Sequence, residues 1–308
     1  MLSRIANNLF WMGRYLERAE SMTRFTKVNY FSALDGPIAV SRQLALDAIL
    51  RMNGASQTDL SEEDTLHQVT FAKDNAGSVI SGVIAARENA RSARDVISSE
   101  LWESINKYYH FMLDYKVEDY KKTHLYDFSQ RATDMAVIIK GKIDSTLMHD
   151  ATWDVIKAGL FVERAIQIIR TISVKYQDIK MLEVEDPSLA VRSYQLATLL
   201  DTLESFDMSK KYCSRAPDLH SVIDFLVLNP GFPRSFLFCF EKVRFHTNRL
   251  SPEKHPSVSS VEHFIDKNYS KVKYMTVEEL ESNFEEELNH MTNLMFETAG
   301  KIESQYLS

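Results

Sequence analysis

The sequence predicts an all-α protein, a single domain over residues 1–308 that forms a bundle of about ten or more helices. Turn-forming residues are scarce, since only 9 Gly and 7 Pro occur in 308 residues. Segments with helical periodicity are long, and no run of strand length alternates apolar with polar residues. Hydrophobic residues make up 44% of the chain, which is enough for a packed core and excludes a disordered chain. Together these observations favour helices packed on helices.

The first half of the chain is predicted to hold five main helices. Turn signals end the first helix before Asp35-Gly36-Pro37 and the second at Asn53-Gly54. Residues 55–65 are polar and indicate a loop with a short helix. Ser98 or Ser99 is expected to cap the fourth main helix, because a serine hydroxyl accepts a hydrogen bond from a free N–H of the first turn. The main helices are predicted to cover residues 3–31, 41–52, 77–97, 99–115 and 125–146.

The second half is predicted to hold six helices and to begin near His149-Asp150, where either residue caps the first of them. Glu185-Asp186-Pro187 is the next turn signal, and residues 250–256 are rich in proline and charge and indicate a loop. The helices are predicted to cover residues 150–176, 189–205, 218–228, 235–248, 258–266 and 277–305.

A repeat links the two halves. The segment that begins at Gly13 matches the segment that begins at Gly159, with six identities at one constant offset of 146 positions and no gap. The identical pairs are Gly13 and Gly159, Glu17 and Glu163, Arg18 and Arg164, Ala19 and Ala165, Arg24 and Arg170, and Val28 and Val174. This pattern predicts two related halves from an internal duplication, at about residues 1–148 and 149–308.

Each copy of the repeat places its charged residues on one polar face of a helix. We call these two faces together the Glu-Arg stripe. In the first copy it consists of Arg14, Glu17, Arg18, Ser21 and Arg24, and in the second of Gly159, Glu163, Arg164, Gln167 and Arg170.

The Glu-Arg stripe has two interpretations. The simpler one is a solvated helix face, because most Glu and Arg side chains are exposed. Gly13 and Gly159, however, lie in mid-helix one turn before each Glu, where glycine costs roughly 1 kcal/mol relative to alanine. Water does not need a missing side chain, whereas a close backbone or a ligand does. The stripe is therefore either a solvated face or a buried one, and if it is buried it faces either a structural network of Arg and Glu or a binding site with spare Arg donors.

Two further segments are rich in arginine. In Arg87-Glu88-Asn89-Ala90-Arg91, followed by Arg94, the arginines share one helix side and would repel one another unless acids or an anion lie opposite. Simple exposure is the alternative. Pro233-Arg234-Ser235 opens a helix, and its free N–H groups with Arg234 could cradle an anion. The alternative there is that Arg234 folds back onto an acid.

Composition excludes several function classes. The net charge is −7 with acids and bases interleaved, which argues against a nucleic-acid surface. The sequence contains no run of 18 apolar residues, so no membrane-spanning helix is predicted. The first residues are not expected to form a secretory signal. Cys213 and Cys239 lack metal-like spacing, so we expect reduced thiols and a bacterial cytoplasmic location. One Glu-x-x-His match, Glu287 to His290, is close to chance, and no phosphate-binding loop occurs, so we expect no metal and no cofactor.

The chain resembles the bacterial Alpha-E family, which is named for a helical fold and a Glu-Arg motif. The resemblance covers essentially the whole chain. It rests on residues 1–20, 86–91, 97–102 with Asn106, 163–165 and 232–235. Two departures lie in the second half: Leu160 replaces an expected Arg, and Ala151-Thr152 replaces an expected Glu-Gly.

The resemblance implies a functional context. Members of this uncharacterised family resemble partners of circularly permuted ATP-grasp ligases and transglutaminase-like proteases, encoded beside them or fused to them. That context suggests a system that makes or trims a peptide or amide product. The leading hypothesis is an accessory module whose arginines hold a carboxylate-bearing substrate while Glu17 and Glu163 orient them. The expected ligand-binding residues are Arg14, Glu17, Arg18, Arg87, Glu88, Arg91, Glu163, Arg164, Arg234 and Ser235.

Two alternatives to the accessory module remain open. The first is a stand-alone enzyme that acts on amides or peptides with a Glu as general base, which requires a raised Glu pKa beside a closed cavity. The second is a purely structural module, for example one that forms a homo-oligomer, and it is favoured if no cavity touches a Glu-Arg pair.

Overall fold

A computed structural model describes residues 2–35, 42–55, 60–115, 122–185, 188–213, 217–251 and 257–308. Several predicted features lie outside these ranges. They are the Gly36-Pro37 and Asp186-Pro187 turn signals, the helix start at Ser41, most of the 250–256 loop and part of the 55–65 loop.

The described residues contain fourteen α-helices and no strand, which confirms the predicted all-α class. The helices are α1 Ser3–Asp35, α2 Arg42–Asn53, α3 Glu62–Thr70, α4 Val79–Ser92, α5 Ser99–Asp114, α6 Lys122–Thr146, α7 Ala151–Glu185, α8 Leu189–Thr202, α9 Phe206–Cys213, α10 Leu219–Ile223, α11 Phe236–Leu250, α12 Val261–Lys273, α13 Val277–Ser282 and α14 Phe284–Ile302. A 3-10 turn follows α4 at Arg94–Val96, and single π-helical turns follow α10 and α14 at Asp224–Leu228 and Glu303–Leu307. No described helix is both long enough and apolar enough to cross a membrane.

Several predicted helix bounds are wrong. The helix predicted over 277–305 breaks at Asn283, whose φ of −141° and ψ of 51° are not helical, so it forms α13 and α14. The helix predicted to reach Ile97 ends at Ser92, and α9 was not predicted. At α5 the structure selects Ser98 as the cap, since its hydroxyl accepts a hydrogen bond from the N–H of Leu101 at 3.2 Å.

Two long helices, α1 with 33 residues and α7 with 35, form the centre of the bundle. They pack against each other and run in the same direction, because contacts between them advance together along both chains. Other helices surround this central pair. In the first half α4 and α6 pack on α1, and in the second half α11 and α14 pack on α7. Residues of all these helices contribute to one continuous apolar core.

The helices α2 and α8 end in the same way. Gly54 and Glu204 follow their last turns with positive φ angles of 86° and 50°. The N–H of Ala55 donates to the carbonyl oxygen of Leu50 at 3.0 Å, and Ser205 donates to Leu200 at 2.8 Å. Both ends are therefore left-handed caps that satisfy terminal carbonyl groups. Other carbonyl oxygens of these last turns accept hydrogen bonds from arginines of the site described next.

Candidate functional site: a buried network at the crossing of two long helices

The helices α1 and α7 cross at Gly13 and Gly159. A Cβ atom on Gly13 would lie 2.5 Å from the carbonyl oxygen of Ile156, and one on Gly159 would lie 2.2 Å from that of Phe10. Both distances are too short for any side chain, so both glycines are needed for the close approach of the two backbones. Of the two sequence interpretations of these glycines, the structure shows the close backbone. The contact is also reciprocal. Gly13 faces Ile156, which lies three residues before Gly159, and Gly159 faces Phe10, which lies three residues before Gly13.

One turn beyond the crossing, the two Glu-Arg pairs exchange partners. Arg164 binds Glu17 with its Nε at 2.7 Å and its Nη2 at 3.0 Å. Arg18 binds Glu163 with its Nε at 2.7 Å and its Nη2 at 3.0 Å. Both carboxylates are 0% exposed. Each Glu therefore meets the Arg of the other copy in a two-pronged ion pair, and the four predicted residues lie together inside the protein.

Both carboxylates accept hydrogen bonds from further donors. The Nε of Arg14 lies 3.0 Å from Glu163 Oε2, and the amide of Gln167 donates to Glu163 Oε1 at 2.8 Å. With the two bonds from Arg18, Glu163 accepts four hydrogen bonds, which fills its acceptor capacity. Glu17 receives its additional contact from the Nζ of Lys140 on α6, at 3.2 Å.

A third buried acid, Glu20, extends the network, although the sequence analysis did not place it in the site. Its carboxylate is 0% exposed and accepts hydrogen bonds from Arg24 at 2.7 Å, from Arg234 at 3.2 Å and from Lys140. A helical wheel places Glu20 about 60° from Glu17, so the polar face could have included it. Lys140 had no comparable signal, because nothing in the sequence of α6 relates it to α1.

Arg24 and Arg170, which are equivalent residues of the repeat, bind backbone rather than each other. The Nε of Arg24 donates to the carbonyl oxygen of Thr202 at the end of α8, at 2.7 Å. The Nη2 of Arg170 donates to the carbonyl oxygen of Met52 at the end of α2, at 2.8 Å. Each arginine places positive charge at the negative end of a helix dipole in the other half of the chain.

The electrostatics keep all three buried acids ionised. Burial alone would raise the pKa of the Glu17 carboxyl, but Arg164 and then Lys140 outweigh burial and hold that pKa well below its usual range. Burial opposes ionisation of Glu163 as well, and Arg18 overcomes it, so that the pKa of Glu163 is lowered. Against burial, Lys140 and Arg24 lower the pKa of Glu20 to about 2. None of these groups has the raised pKa that a general base in a closed cavity requires.

Arg87, Glu88 and Arg91 form a second group, on the surface between α4 and α5. Arg87 donates to Asn106 at 2.9 Å and lies 2.7 Å from Glu88, which also binds Arg91 at 2.5 Å. The guanidinium of Arg87 lies over the rings of Tyr109 and Trp102, at 4.6 Å and 5.5 Å from their centroids. Glu88 thus separates the two arginines, and the contacts of this group are with α5 rather than with the Glu-Arg pairs.

The structure places Arg234 and Ser235 in different roles. Arg234 contacts Glu20 at 3.2 Å and Glu204 at 2.5 Å, so its charge is matched by two carboxylates, as in the simpler interpretation of this segment. Ser235 caps α11, because its hydroxyl accepts a hydrogen bond from the N–H of Phe238 at 3.2 Å.

Two cavities of the described chain are lined by other residues. One of about 580 Å³ is lined by Leu250, Ser251, Ser257, Ser259, Ser260, Glu262, Gln305 and Tyr306. Another of about 390 Å³ lies between α1, α6 and α8 and includes Lys27, Tyr126 and Asp201. Within the described residues, no three His, Cys, Asp or Glu side chains lie close enough to hold a metal ion.

A comparison with protein families identifies the family of this chain. A family model described as a predicted alpha-helical domain with a conserved ER motif, named Alpha-E, matches residues 1–307. Uncharacterized proteins of Mycobacterium bovis and Mycobacterium tuberculosis are 23% identical to this chain over an alignment of 304 positions that covers 90% of the chain. The chain spans about a third of the length of these relatives, since the match covers 33% of each. No solved structure matches it.

Proposed function

The chain belongs to the Alpha-E family, and from this premise we propose that it is a non-catalytic binding module that serves an ATP-grasp amidoligase. The system would form or process a peptide or amide bond, and a transglutaminase-like protease would be a second partner. In the proposal, the ER motif of the family is Glu17-Arg18, and the same two residue types recur at Glu163-Arg164. In the proposal these pairs fix the arrangement of the module, and the arginine faces around them contact the substrate.

The observation that carries the proposal is the exchange of partners between the two Glu-Arg pairs. Each carboxylate is fully buried and held by two bonds from the opposite arginine, and each pKa is lowered. A buried ion pair with all bonds satisfied is suited to fixing helix register. It is unsuited to proton transfer, because the acid stays ionised and a reacting group has no open position beside it. The same observation disfavours the stand-alone enzyme.

The proposal includes a cytoplasmic location, where ATP for a ligase is available. The two cysteines support it: Cys213 and Cys239 are both free. Burial raises the pKa of the Cys239 thiol to about 12, so that group stays protonated and unreactive.

Reconstitution tests the proposal. The purified chain, an ATP-grasp ligase from the same bacterium and a candidate carboxylate substrate are assayed together and singly for ADP release and amide formation. We expect no turnover by the chain alone and a higher ligase output when it is present. Turnover by the isolated chain, or ligase output that does not change on its addition, would contradict the proposal.

Variants separate binding from folding in this assay. Arg91→Gln removes an exposed arginine of the α4 group, whose side chain is 64% exposed, and should lower ligase output without lowering the unfolding temperature. Lys180→Gln, in an exposed pair with Glu285, removes the same charge elsewhere and should change neither. Arg18→Ala tests the ion pair of Arg18 with Glu163. If this variant unfolds, the pair has a structural role.

A further inference from the structure

The two copies of the repeat differ at two charged positions. The residue equivalent to Arg14 is Leu160, and the residue equivalent to Glu20 is Ile166, at the same offset of 146. The first difference adds a base on the Glu163 side of the crossing, and the second removes an acid from α7. The two otherwise matched sides of the network therefore carry different sets of charged groups.

On the Glu17 side, each arginine has a carboxylate within ion-pair distance. Arg24 has Glu20 at 2.7 Å and Glu204 at 3.9 Å, and Arg234 contacts the same two acids. On the Glu163 side, Arg170 has no acid within ion-pair distance among the described residues and bonds to the Met52 carbonyl oxygen instead. Burial lowers the pKa of Arg170, and the attraction of Glu163, partly cancelled by repulsion from Arg18, does not restore it.

The donors on this side exceed the acceptors. An arginine carries about five N–H donors. Arg18 uses two of them on Glu163, Arg14 uses one there, and Arg170 uses one on Met52. Glu163 already accepts four bonds and cannot take more. Among the residues that the structure describes, Glu303 is the only other acid within ion-pair distance of these arginines, and it lies 3.7 Å from Arg14 with its side chain 33% exposed.

The surplus donors of Arg18 and Arg170 can be reached from solvent, whereas the Arg14 side chain is only 4% exposed and lies beneath them. The side chain of Arg18 is 26% exposed, and Arg170 is half-buried beside the end of α2. The position of Arg18 is fixed by its two bonds to Glu163, and the position of Arg170 is fixed by Met52, so their free N–H groups are held in place before any ligand arrives. Such preorganised guanidinium groups match the geometry of a carboxylate.

We propose that Arg14, Arg18 and Arg170 form a binding site for a carboxylate-bearing ligand, with Glu163 as the fixed anchor beneath it and Glu303 as a weak internal counter-ion. This inference rests on the proposed function, because the carboxylate would belong to the substrate that the module holds for its ligase. Arg170 is the new member of the site. The Glu17 side does not form an equivalent site, since Glu20 and Glu204 occupy its arginines.

Calorimetric titration with glutarate at pH 7.5 and constant ionic strength tests the site. We expect the full chain to bind one glutarate, Arg170→Gln to bind it roughly tenfold more weakly, and Glu303→Gln to bind it more tightly. Arg170→Gln should fold normally, because no buried acid loses its partner. Lys180→Gln removes one positive charge in an exposed ion pair elsewhere and should leave the affinity unchanged.

Three outcomes overturn the inference: no binding of glutarate by the folded chain, equal affinity in Arg170→Gln, or an equal loss of affinity in Lys180→Gln. Inorganic phosphate is titrated in parallel, and binding of phosphate roughly tenfold tighter than glutarate would overturn the carboxylate assignment. If glutarate fails to bind while the chain still raises ligase output, only the site is wrong. If the isolated chain shows turnover, the proposed function is wrong whatever the titration shows.

Discussion

At the scale of single residues, the network at the crossing of α1 and α7 buries three ionised carboxylates by giving each of them several charged donors. Such burial is costly when a partner is missing and tolerable when every lone pair is satisfied. The sequence left Glu17 and Glu163 either solvated or buried, and the glycine one turn earlier in each copy was the observation that favoured burial. It did not indicate which arginine binds which acid, since partners 145 and 147 positions apart are set by the packing of two helices. Lys140 was missed for the same reason.

The lowered pKa values predict loss of stability in acid. The folded pKa of Glu20, about 2, lies below the unfolded value of about 4.3. Its contribution is therefore complete above pH 4.3 and is lost as the pH falls toward 2. Glu17 and Glu163 shift in the same direction. We expect the free energy of unfolding in urea to fall steadily from pH 5 to pH 2.5, and to fall less steeply in Glu20→Gln. Equal slopes in the two proteins would contradict this role of Glu20.

At the scale of helices, sequence signals located starts better than ends. Ser98 was one of two predicted caps, and Thr276 with Glu279 forms a capping box at the start of α13. No Gly or Pro marks the break at Asn283. The helical periodicity of the sequence continues across it, so α13 and α14 were predicted as one helix. The ends of α1 and α7 were placed too early, because packing against the bundle continues both helices beyond the clearest apolar pattern.

The helix crossing gives a prediction for its glycines. Alanine normally stabilises a mid-helix position by roughly 1 kcal/mol relative to glycine. Gly13→Ala and Gly159→Ala should instead destabilise the protein by about 1–3 kcal/mol, since each new Cβ would strike a carbonyl oxygen of the other helix. Gly141→Ala and Gly300→Ala are matched controls, because nothing lies within 4 Å of a Cβ at either position. Urea unfolding of the four variants measures the contrast, and stabilisation at Gly13 or Gly159 would show that the backbones are not in contact.

At the scale of the whole molecule, several central contacts of one half have counterparts in the other. The glycine crossing, the exchanged Glu-Arg pairs and the arginines that bind α2 and α8 are all reciprocal. We propose that the halves 1–148 and 149–308 arose by duplication, and this reciprocity supports that proposal. Under that proposal, divergence at Leu160 and Ile166 gave the two sides their different charged groups.

The interlocking halves should unfold together. The charged bonds at the centre cross from one half to the other, so neither half keeps its buried acids satisfied without its partner. We expect native-state hydrogen exchange to show α1 and α7 opening with the same free energy and the same denaturant dependence. Opening of one of these helices well before the other would mean that the halves are separate folding units.

A double-mutant cycle on Glu17 and Arg164 tests the central claim most directly. If the exchanged pair holds the two long helices together, Glu17→Gln and Arg164→Gln should each lower the free energy of unfolding by about 3–5 kcal/mol. The double variant should lose less than the sum of the two, with a coupling of roughly 1–3 kcal/mol. The same cycle on Glu163 and Arg18 should give a similar value, since the geometry is the same. Additive losses within about 0.5 kcal/mol in both cycles would show that the pairs do not join the halves of this protein.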